Sequence, residues 1–148
     1  MTDTLPTPPI EILLVEDAPG DVRLTFEAFK KATIDVHLSS VKDGAEALDY
    51  LYKKGGYSNA KRPDLILLDL NIPKVNGHEV LAQVKSDPQL KRIPVVVLTS
   101  SKNDDDVRRA YDAHANCYLI KPGDLKDFFS LIRAIEDFWL TLVKLPPS

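Results

Sequence analysis

Several kinds of chemistry are excluded by what this chain lacks. It has a single cysteine, Cys117, in 148 residues, so no internal disulfide can form. That cysteine lies inside the apolar run Cys117-Tyr118-Leu119-Ile120, the setting of a small buried residue rather than a reactive thiol. No apolar stretch approaches the ~20 residues a membrane-spanning helix needs. The start, Met1-Thr2-Asp3-Thr4, has neither the basic opening nor the apolar core of a secretory signal. Basic residues form no block, and 22 acids against 19 bases leave a formal charge of −3, so nucleic acid and membranes are not expected partners. A Gly-x-x-x-x-Gly-Lys stretch is missing, which removes nucleotide binding through a P-loop. His37, His78 and His114 are scattered, with no carboxylate or cysteine at ligand spacing, which argues against zinc. The expectation that remains is one cytoplasmic domain long enough to bury a substantial core.

What is present is a set of short apolar runs that end abruptly in polar groups. Ile12-Leu13-Leu14-Val15 stops at Glu16-Asp17, and Leu65-Ile66-Leu67-Leu68 stops at Asp69, with Gly77 closing the loop that follows. Val95-Val96-Val97-Leu98 stops at Thr99-Ser100, and the run from Cys117 to Ile120 stops at Lys121-Pro122. Val36 to Val41 supplies a further strand. Helical patterns lie between them: Val22, Phe26 and Phe29 behind Pro19; Gly44 to Lys54, ended by Gly55-Gly56; Val80, Leu81 and Val84, broken before Pro88; Val107, Ala110 and Tyr111; and a last helix from Leu125. Alternation of strand and helix predicts an α/β fold, a doubly wound sheet of five parallel strands with five helices. Its domain spans residues 10–143, between proline-rich extensions at 1–9 and 144–148.

Open α/β sheets place their chemistry beyond the carboxyl ends of their strands. An acid pair, an acid, a hydroxyl and an amine would meet there. Glu16, Asp17 and Asp69 repel one another in isolation, and a hard cation such as Mg²⁺ (or Mn²⁺) relieves that repulsion. Cation and Lys121 together offset the charge of a transferring phosphoryl group. One carboxylate is then the nucleophile, and Asp69, single and at a central strand end, suits the role best.

These residues resemble the receiver domain of two-component response regulators. The resemblance runs from about Ile10 to Trp139 on Leu14-Val15-Glu16-Asp17, Asp43-Gly44-Ala45-Glu46-Ala47-Leu48, Leu68-Asp69-Leu70-Asn71-Ile72-Pro73 with Gly77, Leu98-Thr99-Ser100 and Lys121-Pro122. It implies a flavodoxin-like receiver fold in which Asp69 accepts phosphate from a sensor histidine kinase. Glu16, where many receivers carry aspartate, would hold Mg²⁺ with Asp17, Asp69 and the backbone carbonyl of Asn71. Thr99 would bind the phosphoryl group, Lys121 would pair with it, and Tyr118 would rotate inward as Thr99 moves. The bond before Pro122 would be cis, which a proline tolerates. Such a protein catalyses only its own phosphoryl transfer and dephosphorylation.

Further features resemble the small stand-alone regulators paired with bacterial phytochromes: Asn116-Cys117-Tyr118-Leu119, Phe138-Trp139-Leu140, the ending Leu145-Pro146 and the polar loop from Lys54 to Pro63. They imply a phytochrome-type kinase as donor. No output domain is expected after the fifth helix, so signalling would run through protein contact or onward phosphotransfer. That helix carries a stripe of Leu125, Phe128, Ile132, Ile135, Trp139 and Leu142, and Leu131, Phe138 and Leu145 lie beside it. The surplus predicts a homodimer using Leu131, Phe138, Trp139 and Leu145; the rival expectation is a C-terminal tail folded back over the patch. The enzyme alternative, an aspartyl-phosphate phosphatase of haloacid dehalogenase type, needs an acid two residues after its nucleophile and is disfavoured by Asn71.

Overall fold

The computed structural model describes residues 8–148, so most of the 1–9 extension lies outside the described residues. Five strands form one parallel sheet: β1 (Ile10–Val15), β2 (Val36–Val41), β3 (Leu65–Leu68), β4 (Val95–Thr99) and β5 (Cys117–Ile120). Their order is β2-β1-β3-β4-β5. Helices α1 (Pro19–Lys30), α2 (Gly44–Leu51), α3 (Gly77–Ser86), α4 (Asp104–Asp112) and α5 (Leu125–Ile135) connect and follow them. No described helix is long and apolar enough to cross a membrane.

The two-residue period of a strand divides the core in two. Leu13, Val15, Ile66, Leu68, Val95 and Val97 join one cluster with Val80, Leu81, Val84 and Ala110 from α3 and α4. Ile12, Leu14, Leu65, Leu67, Val96 and Leu98 join the other with Phe29 of α1 and Phe128, Ile132 and Ile135 of α5. Burial on both faces explains why β1, β3 and β4 read as unbroken apolar runs. Strands β2 and β5 close the sheet and are only partly buried.

From β1 the chain steps out to β2 and returns to the other side of β1 as β3. This reversal opens a crevice between the carboxyl ends of β1 and β3, where doubly wound sheets bind their ligands. Two close approaches fix the loop that follows β3. The Gly77 amide donates to the Leu70 carbonyl at 2.9 Å, and a Cβ at Gly77 would lie 2.4 Å from the Asp69 carbonyl oxygen. A Cβ at Gly44 would lie 1.7 Å from the Val75 carbonyl oxygen. Both glycines open helices against this loop, so any larger residue would push it off the sheet edge.

Three local expectations change. Helix α2 ends at Leu51, before Gly55-Gly56, because Lys53 takes the left-handed conformation (φ 57°). The Lys53 amide donates to the Tyr50 carbonyl and the Lys54 amide to the Asp49 carbonyl, a Schellman closure that needs no glycine here. In α1, Thr25 is buried with Phe29 while Phe26 is only half-buried. The stripe on α5 breaks because Glu136–Leu142 winds as a π-helix. One extra residue per turn rotates the face, so Leu140 follows Ile135 into the core while Leu142 is 76% exposed. Leu125, at the other end of that stripe, is exposed as well.

Of the four residues singled out for an interface, Phe138 is 52% exposed, whereas Leu131 and Trp139 pack partly against the α1–α5 side of the core and Leu145 is half-buried. The tail does not fold back over Phe138. Pro146, Pro147 and Ser148 line a small pocket with Arg62–Asp64 and Arg92–Pro94, ahead of β3 and β4.

Candidate functional site

The carboxyl ends of β1 and β3 bring three acids together. One oxygen from each of Glu16, Asp17 and Asp69 lies within 4.8 Å of the others. Glu16 and Asp69 are buried, and Asp17 is exposed at the mouth. Backbone pairing holds both strand ends: the Glu16 amide donates to the Val41 carbonyl and the Asp69 amide to the Val15 carbonyl, each at 3.0 Å. The Asp69 side chain is oriented in turn. Its Oδ1 accepts the Asn71 amide at 3.1 Å, and its Oδ2 accepts from Lys121 Nζ at 3.1 Å.

Lys121 enters from the end of β5 with its side chain only 8% exposed. Its ammonium also donates to Glu16 Oε1 and, at 2.8 Å, to Asp21 Oδ2 in the first turn of α1. Burial alone would pull the Lys121 ammonium down. Its bonds to Asp21 and Glu16, with the charge of Asp69, outweigh that burial and hold it above its ordinary value. Glu16 goes the other way: burial, helped by the Asp69 charge and opposed by Lys121, pushes it up to about 7. An excess of negative charge in a confined space is the condition a hard divalent cation relieves, and the three carboxylates supply oxygen donors of the right kind. Asn71 is placed beside Asp69 by its amide, so its peptide belongs to the same corner.

A cleft of about 540 Å³ opens from Asp69 toward β4, walled by Asn71, Asn76, His78, Thr99, Ser101 and Asp106 among others. Thr99 is 1% exposed, and its Oγ1 takes only a long bond, 3.5 Å, from the Ser101 amide. Ser101 is the hub of this side. Its carbonyl accepts from the Tyr118 hydroxyl at 2.9 Å, and its own hydroxyl donates to Asp106 Oδ2 at 2.6 Å. Tyr118 is thus half-buried and anchored to the β4–α4 loop, and burial raises its phenol above the ordinary value. His78 Nε2 pairs with Asp106 Oδ1 at 3.0 Å. The bonds from Ser101 and His78 hold the Asp106 carboxyl below its usual range.

The expected site residues Glu16, Asp17, Asp69, Thr99 and Lys121 therefore meet at one edge, with Asn71 and Tyr118 adjoining. One expectation fails. The described residues contain no cis peptide bond, so Lys121–Pro122 is trans. Trans is the intrinsically favoured form of an X–Pro bond, and Lys121 reaches all three of its acids from it. Sequence reasoning missed Asp21, an ordinary first-turn acid by pattern, and the carboxylates that face two histidines: Asp106 on His78, and Glu11 on His37 at 2.7 Å. No spacing rule reveals pairs drawn from separate elements.

Comparison with known proteins adds to this geometry. Residues 12–133 match the response regulator receiver domain. The chain is 55% identical over 141 residues to the response regulator Rcp1 of Synechocystis sp., covering 95% of this chain and 96% of that one. The crystal structure of the Mn(2+)-bound form of Rcp1 superposes with a TM-score of 0.91 at 54% identity, over 94% of this chain and 100% of the other. That of the phosphorylated cyanobacterial phytochrome response regulator RcpA superposes with a TM-score of 0.92 at 51% identity, over 95% of this chain and 100% of the other.

Proposed function

The chain belongs to the response regulator receiver family, and from that premise we propose that it accepts a phosphoryl group on Asp69 from a sensor histidine kinase. The carrying observation is the geometry at Asp69: a buried carboxylate held by the Asn71 amide and Lys121, beside two further acids and a cleft ending at Thr99. Glu16, Asp17, Asp69 and the Asn71 carbonyl would hold Mg²⁺ or Mn²⁺. Held there, such an ion would supply positive charge against the negative charge of a transferring phosphoryl group.

The remaining work falls to side chains. An Asp69 carboxylate oxygen attacks phosphorus while the P–N bond of the donor phosphohistidine breaks, its electron pair returning to the imidazole nitrogen. Lys121 donates to a phosphoryl oxygen, and the Thr99 hydroxyl donates to another from the cleft side. Filling the cleft draws Thr99 away from the Ser101 amide, the weakest bond in the loop, and so loosens the strap that holds Tyr118. Loss of the phosphate is self-catalysed hydrolysis, and Asn71 gives no second acid for multiple turnover of organic phosphates.

Likeness to the phytochrome response regulator RcpA supports a phytochrome-type kinase as the donor. Homodimerisation rests on the exposed Phe138 and Leu142, an apolar surface on the π-helical segment that no described residue covers. Sedimentation of the wild type and Phe138→Glu tests it: a dimer lost in the variant agrees, a wild-type monomer at high micromolar concentration does not. The phosphoryl acceptor itself is tested by mixing the protein with phosphorylated histidine kinases, a phytochrome among them, and following label. Transfer to the wild type and none to Asp69→Asn is expected; label persisting on Asp69→Asn refutes the assignment.

A further inference from the structure

Lys121 has one more carboxylate than phosphoryl transfer requires. An ammonium has three protons, and here they go to Glu16, Asp69 and Asp21. Glu16 and Asp69 are also two of the three acids whose oxygens converge on the cation position. When they turn to a cation they are drawn away from the lysine. A buried ammonium left without a partner is strongly disfavoured, so Lys121 would otherwise keep its hold on them and compete with the ion. Asp21 is the partner that does not converge on that position. It stands on α1, and its side chain is 35% exposed. The Thr25 hydroxyl donates to its carbonyl at 2.7 Å, which holds the first turn of the helix in place.

We propose that Asp21 is a positioning residue that holds the Lys121 ammonium aside, so that Glu16 and Asp69 are free to take a divalent cation. This rests on the cation reading of the site given above. It also explains why a lysine can sit in direct contact with two metal-ligating acids without blocking them: its third bond anchors it to α1. The rival account makes Asp21 a first-turn acid that favours the helix N-terminus and adds general negative charge near the ion. That account assigns no special part to Lys121.

The two are separated by a double-mutant cycle on Mn²⁺ affinity, measured by calorimetry with no phosphodonor present. Asp21→Asn should weaken Mn²⁺ binding by about tenfold in the protein with Lys121, the order expected when a competing buried charge is released onto its ligands. In a Lys121→Met background the same substitution should change affinity by no more than about twofold, since only screened charge remains. Asp21→Glu should recover most of the loss. Equal weakening in both backgrounds, or none in either, overturns the proposal. Should Lys121→Met fail to fold, ¹⁵N-lysine spectra at saturating Mg²⁺ decide the matter. A Lys121 ammonium protected from exchange in the wild type and unprotected in Asp21→Asn supports the tether, and equal protection in both overturns it. Phosphorylation of the wild type, followed separately, reports on the Asp69 assignment, and Asp17→Asn reports on the cation site, so failure of either is distinguishable from failure of the tether.

Discussion

The two halves of the site are built on opposite principles. At the ends of β1 and β3, Glu16 and Asp69, joined by Asp21 from α1, share one buried ammonium with Asp17 at the mouth, and burial drives Glu16 up to about 7. At the ends of β4 and β5, the chain Thr99–Ser101–Tyr118 is neutral, tied by single hydrogen bonds and anchored at Asp106 to His78. The acid half stores unfavourable electrostatics that a cation releases; the hydroxyl half stores little and yields at its longest bond. On the reading proposed above, one half would supply the binding energy and the other the movement. On the hydroxyl side, His78 Nδ1 is buried without a partner among the described residues.

Removing charge from the acid half should have the largest effect. Asp17→Asn is expected to weaken Mg²⁺ binding roughly a hundredfold or more, on the scale by which ligand charge tunes such sites; calorimetry checks it. A loss under threefold would mean the acids do not act together. Next is pH. The buried Glu16 carboxyl has its proton-binding range raised from 4.5 to about 7, so protons and cation compete for it near neutrality. Mg²⁺ affinity should fall as pH drops from 8 to 6, approaching about tenfold per unit once the proton is bound. The sign for the metal-free protein is the reverse: a raised acid favours the folded state when protonated, so stability from this group declines as pH rises from 4.5 through about 7. An Mg²⁺ affinity that does not change across this window would remove Glu16 from the ligand set.

Effects in the hydroxyl half should be smaller. Thr99→Ala deletes one neutral donor and should slow phosphoryl transfer by about tenfold with Mg²⁺ affinity unchanged, read by stopped-flow labelling and calorimetry together. A fall in metal affinity would show that the halves are not separable. Smallest of all, Tyr118→Phe removes the strap to the Ser101 carbonyl. It should cost about 1 kcal/mol in denaturant unfolding and raise amide exchange in residues 100–103 without reducing phosphorylation.

The same contrast governs how much the sequence discloses. Glu16, Asp17, Asp69 and Thr99 are legible because each ends or follows a strand buried on both faces, whose apolar run stops where the sheet does, and Lys121 because it follows the short apolar run of the partly buried edge strand β5. The sheet order then brings those stops together. Asp21 is illegible because its partner lies 100 residues away and its local context is an unremarkable helix start. Asp106 and His78 face each other across α3 and α4, a meeting set by packing and not by spacing. Helix periodicity misplaces Leu142 on the buried stripe because it assumes one pitch throughout, and the π-helical segment changes it. The trans bond before Pro122 differs from the cis bond implied by resemblance, and no local feature of the sequence distinguishes the two.

The claim on which both halves depend is that Asp69 carries the phosphoryl group. Borohydride reduction of the phosphorylated protein converts an aspartyl phosphate to homoserine, and peptide mass mapping then locates it. Homoserine at position 69, dependent on Mg²⁺ during phosphorylation, is the predicted result. Homoserine at Asp17 or elsewhere, or a phosphoryl group stable to the reduction, would contradict the account.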